Sequence, residues 1–236
     1  MSILDWNKKG LIFSERYFLF IPLKKNGVLA ILCVILLALV ITSLFLPHAL
    51  PEIAEGEVAH VLTRLFGLYG FLFLSVATLT TPFLKEVTQA FGKPFLKVHH
   101  AFSIFGIAFI TLHPVFNAVD RLSLSVFLPR FDSWELFWMF AGRPAFIILY
   151  VAVVAAMLRR NAPRYWRFLH ALMYVVLFFG IVHANLQGED FENLGIMLIF
   201  DALFLSSLAT FTYTRYKIYQ AKRKQQPTSS TNQQTN

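Results

Sequence analysis

Charged side chains are what this chain has least of. Asp, Glu, Lys and Arg make up 14% of its 236 residues, and 57% are hydrophobic. An ordinary soluble domain carries about 25% charged residues, so the composition excludes one and implies an integral membrane protein. Cysteine is almost missing too. Cys33 stands alone, which excludes an internal disulfide, a thiolate metal cluster and a Cys-x-x-Cys-His motif. Lying in an apolar run, it reads as a small packing residue. No Gly-x-Gly-x-x-Gly fingerprint occurs, so no dinucleotide-binding turn is expected. The N-terminus lacks a convincing small-residue cleavage site, and its first apolar run is too long for a cleaved signal.

What is present is apolar sequence in long runs, rich in phenylalanine (26 copies). Six runs approach the ~20 residues a helix needs to cross the hydrocarbon core. They are residues 27–46, 60–83, 95 to about 119, 134–158, 165–185 and 194 to about 213. Pro47 and Pro51 are expected to end the first, and Gly142-Arg143-Pro144 to interrupt the fourth. Residues 1–26 form an N-terminal segment whose Phe13–Leu23 stretch is expected at the interface. Residues 217–236 read as a basic, then disordered, tail. The expected fold is therefore all-α, a six-helix membrane bundle spanning residues 27–216.

The formal net charge is +8, but the basic residues flank apolar runs rather than forming a nucleic-acid patch, so no nucleic acid partner is expected. Seventeen of the 21 Lys and Arg fall in the N-terminal segment, between spans two and three (Lys85, Lys93, Lys97), between four and five (Arg159, Arg160, Arg164, Arg167) and after span six. The alternate loops hold Arg121 and Arg130 with many carboxylates. By the positive-inside rule both termini are cytoplasmic. Spans three and five then run parallel, from the inside outward.

That orientation gives meaning to four histidines. His99 and His113 lie fourteen positions apart in span three; His170 and His183 lie thirteen apart in span five. Ionisable side chains inside a membrane are costly and mark functional sites. At 1.5 Å per residue, each span separates its two histidines by about 20 Å. His99 and His170 should meet near the inner face, and His113 and His183 further out. Such an arrangement suits two stacked haems of b type, each gripped by one histidine from each helix. Fourteen residues fall within about 40° of whole turns, whereas thirteen miss by about 140°. An irregularity near Gly180 could restore the phase of span five. His100, whose spacing to His113 is also thirteen, is the alternative to His99; helical phase favours His99. A non-haem metal site would need a third ligand, and these spans carry no Asp or Glu at that depth. A proton relay is the other rival, with Asp201 as its only buried carboxylate candidate.

Further candidates lie in the outer half. Arg143 is a candidate for the outer haem's propionates, because guanidinium matches carboxylate geometry. Against that stands a structural Arg143–Asp201 pair, or snorkelling to the interface. Arg64 lies at similar depth. Trp134, Trp138 and Trp166 suit the interface. Lys97, Arg164 and Arg167 could meet inner propionates or simply set topology.

The third span, KVHHAFSIFGIAFITLHPVF, and the fifth, RYWRFLHALMYVVLFFGIVHA, resemble the ferric-reductase-like transmembrane domain. That superfamily includes ferric reductases, NADPH oxidases and the haem-binding membrane subunit of the bacterial methionine-sulfoxide-reducing system. Lys97, His99, Leu112 and His113 meet its pattern of a basic residue, a histidine and, fourteen on, a leucine-histidine pair. Trp166 to His170 matches its W-x-x-L-H start, followed by His183. Ala77-Thr78-Leu79 before Thr81-Pro82, and Arg143-Pro144, are similar to the methionine-sulfoxide-reducing subunit. There the position of His99 is often basic; histidine here implies two haems. The resemblance covers about residues 60–215. It implies an electron-transfer subunit of the inner cell membrane, carrying electrons from a cytoplasmic flavoprotein, flavin or quinol donor to an external or periplasmic acceptor. Ferric reductases and oxidases continue into a flavin and nicotinamide domain. This chain ends about twenty residues after its last span, so a partner is expected to supply the electrons. The alternatives are a terminal reductase of ferric iron or oxygen, and a haem-free transporter or assembly factor.

Overall fold

The computed structural model describes residues 24–161 and 163–225. The expectations for Phe13–Leu23 and for the last eleven residues lie outside that range. Among the described residues the fold is all helical. In chain order the helices are α1 (Lys25–Ala54), α2 (Val58–Thr80), α3 (Leu84–Phe91), α4 (Phe95–Asp120), α5 (Trp134–Met139), α6 (Gly142–Met157), α7 (Trp166–His170), α8 (Met173–Gln187) and α9 (Leu194–Gln225). Six helical stretches are long and apolar enough to cross a membrane, and the chain is a multi-pass membrane protein. Their outward faces carry large apolar side chains such as Leu29, Leu36, Ile104 and Leu198, the surface a lipid solvent requires.

Two boundaries differ from expectation. Pro47 and Pro51 do not end the first helix, which runs through both to Ala54. Each proline removes one backbone N–H, yet the carbonyl of Pro51 still accepts from Glu55. Buried Phe45 and Ala49 hold this last part against the core, as packed neighbours often do for prolines in membrane helices. The basic segment beyond residue 216 is not separate from the last span, because α9 continues unbroken to Gln225.

The core gathers Ile41 and Phe45 of α1, Leu68 and Leu72 of α2, Leu149 of α6, Leu177 of α8 and Phe200 of α9. The most extensive helix contact is α2 with α4, which pairs Phe66 and Phe73 with Phe102, Phe105 and Phe109 and admits two glycines at its tightest points. A methyl on Gly70 would lie 2.8 Å from the backbone nitrogen of Ile110, and one on Gly106 would lie 2.9 Å from that of Leu74. Only glycine lets the two backbones approach so closely, as small residues do between membrane helices generally.

The fourth span is broken as its sequence suggested. Ser133 caps α5 by accepting from the Leu136 amide. Phe140 and Ala141 form a turn, and Pro144 sits in the first turn of α6, where its missing N–H does no harm. The fifth span is broken too, but not at Gly180, which lies inside α8. The irregularity falls at Ala171 and Leu172, where the amides of Leu172 and Tyr174 bond three residues back, to Leu169 and Ala171. Three-residue bonds wind the chain faster than an α-helix. The extra rotation is of the sign needed to offset the shortfall of a thirteen-residue spacing.

Candidate functional site

The four histidines meet as two pairs. The rings of His99 and His170 have centroids 6.2 Å apart and planes at 83°. Those of His113 and His183 are 6.4 Å apart with planes at 71°. Each pair joins α4 to the α7–α8 span. His100 is exposed; its ring is beside that of His99 but carries no hydrogen bond among the described residues.

All four rings are anchored in the same way. Nδ1 of His99 lies 3.1 Å from the Ala77 carbonyl, and Nδ1 of His113 lies 2.8 Å from that of Thr63. Nδ1 of His170 lies 3.3 Å from the Ala152 carbonyl, and Nδ1 of His183 lies 2.7 Å from that of Met139. A carbonyl oxygen only accepts, so Nδ1 carries the proton in each ring. That fixes the tautomer and leaves Nε2 with its lone pair available. Metal-binding histidines are held this way. Among the described residues, only the Nε2 of His99 has a hydrogen-bonding neighbour, the Ser103 hydroxyl at 3.4 Å.

The spacing of the carbonyls repeats that of the rings. Thr63 and Ala77 are fourteen residues apart, like His99 and His113; Met139 and Ala152 are thirteen apart, like His170 and His183. Each antiparallel neighbour therefore presents its acceptors at the pitch of the histidines it holds. These four carbonyls were not legible in the sequence, since a backbone acceptor leaves no residue signature. Two glycines were a signal that went unread. A methyl on Gly67 would sit 2.9 Å from Nδ1 of His113, and one on Gly142 would sit 2.7 Å from Cδ2 and 3.1 Å from Nε2 of His183. Both outer rings thus occupy space that any larger residue would take.

Arg143 does not pair with Asp201. Its Nη1 donates to the carbonyls of Ser125 (3.0 Å) and Leu128 (2.9 Å), and its guanidinium lies 4.4 Å from the Phe140 ring centroid. Asp201 accepts instead from Asn185. Arg143 also lines a cavity of about 650 Å³ with Arg130, Phe131 and Asp132. Arg64 does something the sequence did not reveal. It donates to Glu52 and Asp190 and lies 3.2 Å from Glu189, tying α1, α2 and the segment before α9 together. His60 joins the same end through Glu189. Thr63, whose carbonyl holds His113, adjoins Arg64, so this charge network anchors the helix end beside the outer pair. Of the three tryptophans, Trp166 comes nearest a histidine pair, 6.3 Å from the His170 ring centroid.

The arrangement tests whether haem fits. Two imidazoles bound on opposite sides of one metal at about 2 Å per bond place their ring centres about 6 Å apart. Both pairs meet that separation. Among the described residues no group of three or more His, Cys, Asp or Glu could hold a metal ion. Haem iron asks for less, since the macrocycle supplies four nitrogens and the protein only the axial positions.

Residues 66–181 match the family described as ferric reductase like transmembrane component. No curated protein and no solved structure matches the chain. The matched segment contains three of the four paired histidines, His99, His113 and His170, and three of the four carbonyls that hold the rings; His183 lies two residues beyond its end. Members of the family typically bind haem and transfer electrons across membranes. Residues 66–181 are thus similar to the ferric-reductase-like transmembrane domain.

Proposed function

We propose that the chain is a b-type membrane cytochrome holding two haems within residues 27–216, the inner one between His99 and His170 and the outer one between His113 and His183. One observation carries the reading. Four imidazoles, each with its Nδ1 proton committed to a backbone carbonyl, face each other in two pairs at the separation two axial ligands need. When bound, haem supplies reversible one-electron chemistry. The chain's own residues hold it, orient it and keep it dry. The carbonyl bonds aim each Nε2 and raise its basicity. The core around Leu68, Leu149 and Leu177 excludes water, which sets the dielectric around both pairs. One histidine from each helix would hold each haem, and the chemistry the group would supply there is electron transfer.

With both termini cytoplasmic, electrons enter near the basic loops at Lys97 and Arg159–Arg167 and leave on the opposite side. The donor is a cytoplasmic flavoprotein, flavin or quinol; the acceptor is external; the membrane is the inner cell membrane. Arg143 is assigned to the outer haem's propionates; among the described residues its hydrogen bonds are made through Nη1 alone, not Nη2 or Nε. A second reading, a terminal reductase acting directly on a small external acceptor such as ferric iron or oxygen, draws on the open cavity between Arg130 and Arg143.

The test is the visible spectrum of the purified protein. A reduced b-type spectrum with two haems per chain is expected. His170→Ala should lose one haem and His183→Ala the other; His99→Ala should behave like His170→Ala, while His100→Ala keeps both. Full haem content in the His170 and His183 variants would overturn the ligand assignment. Absence of any haem in native membranes would favour a transporter or assembly factor.

A further inference from the structure

We infer that the connector after α4 dips into the adjoining bilayer leaflet and that the cavity between its Arg130 and Arg143 of α6 holds the phosphate of an anionic phospholipid. The inference does not rest on the haems. Its first observation is the outward display of apolar side chains. Leu122, Leu124, Leu128, Phe131 and Trp134 are all exposed, Leu122 by 91%. The segment is nevertheless pinned to the bundle. Val126 is buried, and Arg143 donates to the carbonyls of Ser125 and Leu128. Five large apolar groups held outward on one short segment would be a liability in water. At the rim of a membrane bundle they are anchors. The rings of Phe131 and Trp134 both stack on Phe137, as part of an interfacial aromatic belt.

The backbone at Leu122 is a second, independent observation. It has a φ of 47° and directly follows Arg121, the residue that caps α4. Glycine takes that left-handed conformation without strain and is the usual residue at this place, whereas leucine is strained there. A strained leucine that projects from the protein is accounted for once its side chain is buried in lipid.

The cavity supplies the polar half of the site. It holds about 650 Å³, and Ser125, Arg130, Asp132 and Arg143 are among its walls. The guanidinium carbons of Arg130 and Arg143 lie against one ring, Phe140, at 5.7 and 4.4 Å from its centroid. Asp132 accepts from Nε of Arg130 at 2.7 Å and offsets one of the two charges, so the cavity keeps one positive charge in excess. The terminal nitrogens of Arg130 make no hydrogen bond among the described residues, and guanidinium donors match phosphate oxygens. Arg143 is fixed by its two carbonyls and lends its charge, while its remaining donors are assigned to the propionates above. With the apolar groups in the acyl region, the cavity stands at headgroup level, where lipid phosphate is the abundant anion. A lipid with one net negative charge matches the excess; a zwitterionic lipid brings its own cation and does not. Occupied in this way, the cavity is closed to the small acceptor of the second reading above.

The experiment uses the full-length protein in nanodiscs of mixed phosphatidylglycerol and phosphatidylcholine, read by native mass spectrometry. One phosphatidylglycerol should be retained per chain in preference to phosphatidylcholine. Arg130→Gln, on an exposed side chain, should weaken that retention by about tenfold, the scale of one hydrogen-bonded contact to a charged group, with the thermal midpoint unchanged. Millimolar inorganic phosphate should not displace the lipid. A second readout places a fluorophore on Leu122→Cys in a Cys33→Ser background, with the protein in liposomes. Phospholipids brominated on their acyl chains should quench it, and aqueous iodide should quench it several-fold less than the free dye. Equal retention by the native protein and Arg130→Gln, or no preference over phosphatidylcholine, overturns the lipid site. Displacement by inorganic phosphate makes it a site for free anions and overturns the lipid as its occupant. A label as open to iodide as the free dye overturns the insertion of the connector, and with it the placing of the cavity at headgroup level.

Discussion

The two helix pairs that carry the histidines solve one geometric problem in opposite ways. In α2 and α4 the helices are continuous, packed through Gly70 and Gly106, and both the rings and their carbonyls recur at fourteen residues. Fourteen is close to four turns, so a regular helix suffices. In the other pair, rings and carbonyls recur at thirteen, and both spans are broken: α5 from α6 at Phe140–Ala141, α7 from α8 at Ala171–Leu172. The ring separations come out nearly equal, 6.2 and 6.4 Å. Ligand geometry therefore does not require a regular helix; it requires that a histidine helix and the neighbour that holds it share one spacing.

Inserting a residue breaks this comparison most sharply. One alanine added after Phe105 rotates His113 by about 100° relative to His99, and α4 has no irregularity to absorb the turn. That variant should lose one of the two haems. One alanine added after Ala171 raises the His170–His183 spacing to fourteen, at which a continuous helix has the right phase. It should keep both haems, with at most a weakened hold on one. Haem content by pyridine haemochrome assay decides it, and equal loss in both variants would mean that the break does not compensate for the spacing.

The next effect is smaller and concerns slack. A methyl on Gly142 presses closer to its ring than one on Gly67, 2.7 against 2.9 Å. Contact distance alone would make Gly142→Ala the worse change. However, Gly142 begins a helix next to a turn that can yield, whereas Gly67 lies inside the tight α2–α4 contact. Gly67→Ala should therefore lose more outer haem than Gly142→Ala, and neither should disturb the His99–His170 haem. The reverse order would show that the broken half is the more rigid one.

Much of this was legible in the sequence. Six apolar runs predict the spans, and the Lys and Arg distribution makes spans three and five parallel. From that and residue spacing alone, His99 is expected beside His170 and His113 beside His183, and these are the rings that meet. Other features were illegible for physical reasons. Pro47 and Pro51 suggest stops because an isolated helix loses a hydrogen bond for each missing N–H, while buried Phe45 and Ala49 keep the helix going. Gly180 is the point where the sequence suggests an irregularity, because glycine tolerates one; instead it packs against Phe71, and the tight winding occurs at Ala171–Leu172, which carry no special residue. For Arg64 the sequence gives only a depth, since Glu52, Glu189 and Asp190 are remote along the chain and come together with it only in the fold.

That network gives a prediction about stability rather than haem. The side chains of Arg64 and Asp190 are 9% and 5% exposed. Arg64→Ala leaves Asp190 buried without its partner, which costs about 3 kcal/mol. The thermal midpoint should fall by several degrees, with both haems still bound below the transition. Asp190→Asn combined with Arg64→Met should recover part of the loss, because the buried charge is then gone from both sides. An Arg64→Ala midpoint equal to the native one would mean that the network contributes nothing to holding α2.

Arg143 gives the smallest effect, and the comparison of the two halves says how to read it. It adjoins Gly142 in the broken half, and its Nη1 is committed to the carbonyls of Ser125 and Leu128. If its remaining donors serve the outer propionates, the guanidinium also stabilises electron density at that haem. A nearby cation favours the reduced form, so Arg143→Ala should lower the outer midpoint potential. With solvent reaching the cavity beside Arg130, the shift should be about 30 mV, roughly half of the 59 mV that a tenfold change represents for one electron. Arg143→Lys keeps the charge but not the fork and should restore most of the potential. A purely structural role predicts a different pattern: both variants would loosen the 124–128 segment, seen as faster proteolysis there, with the outer potential unchanged. Equal potentials in all three proteins would remove Arg143 from the haem site.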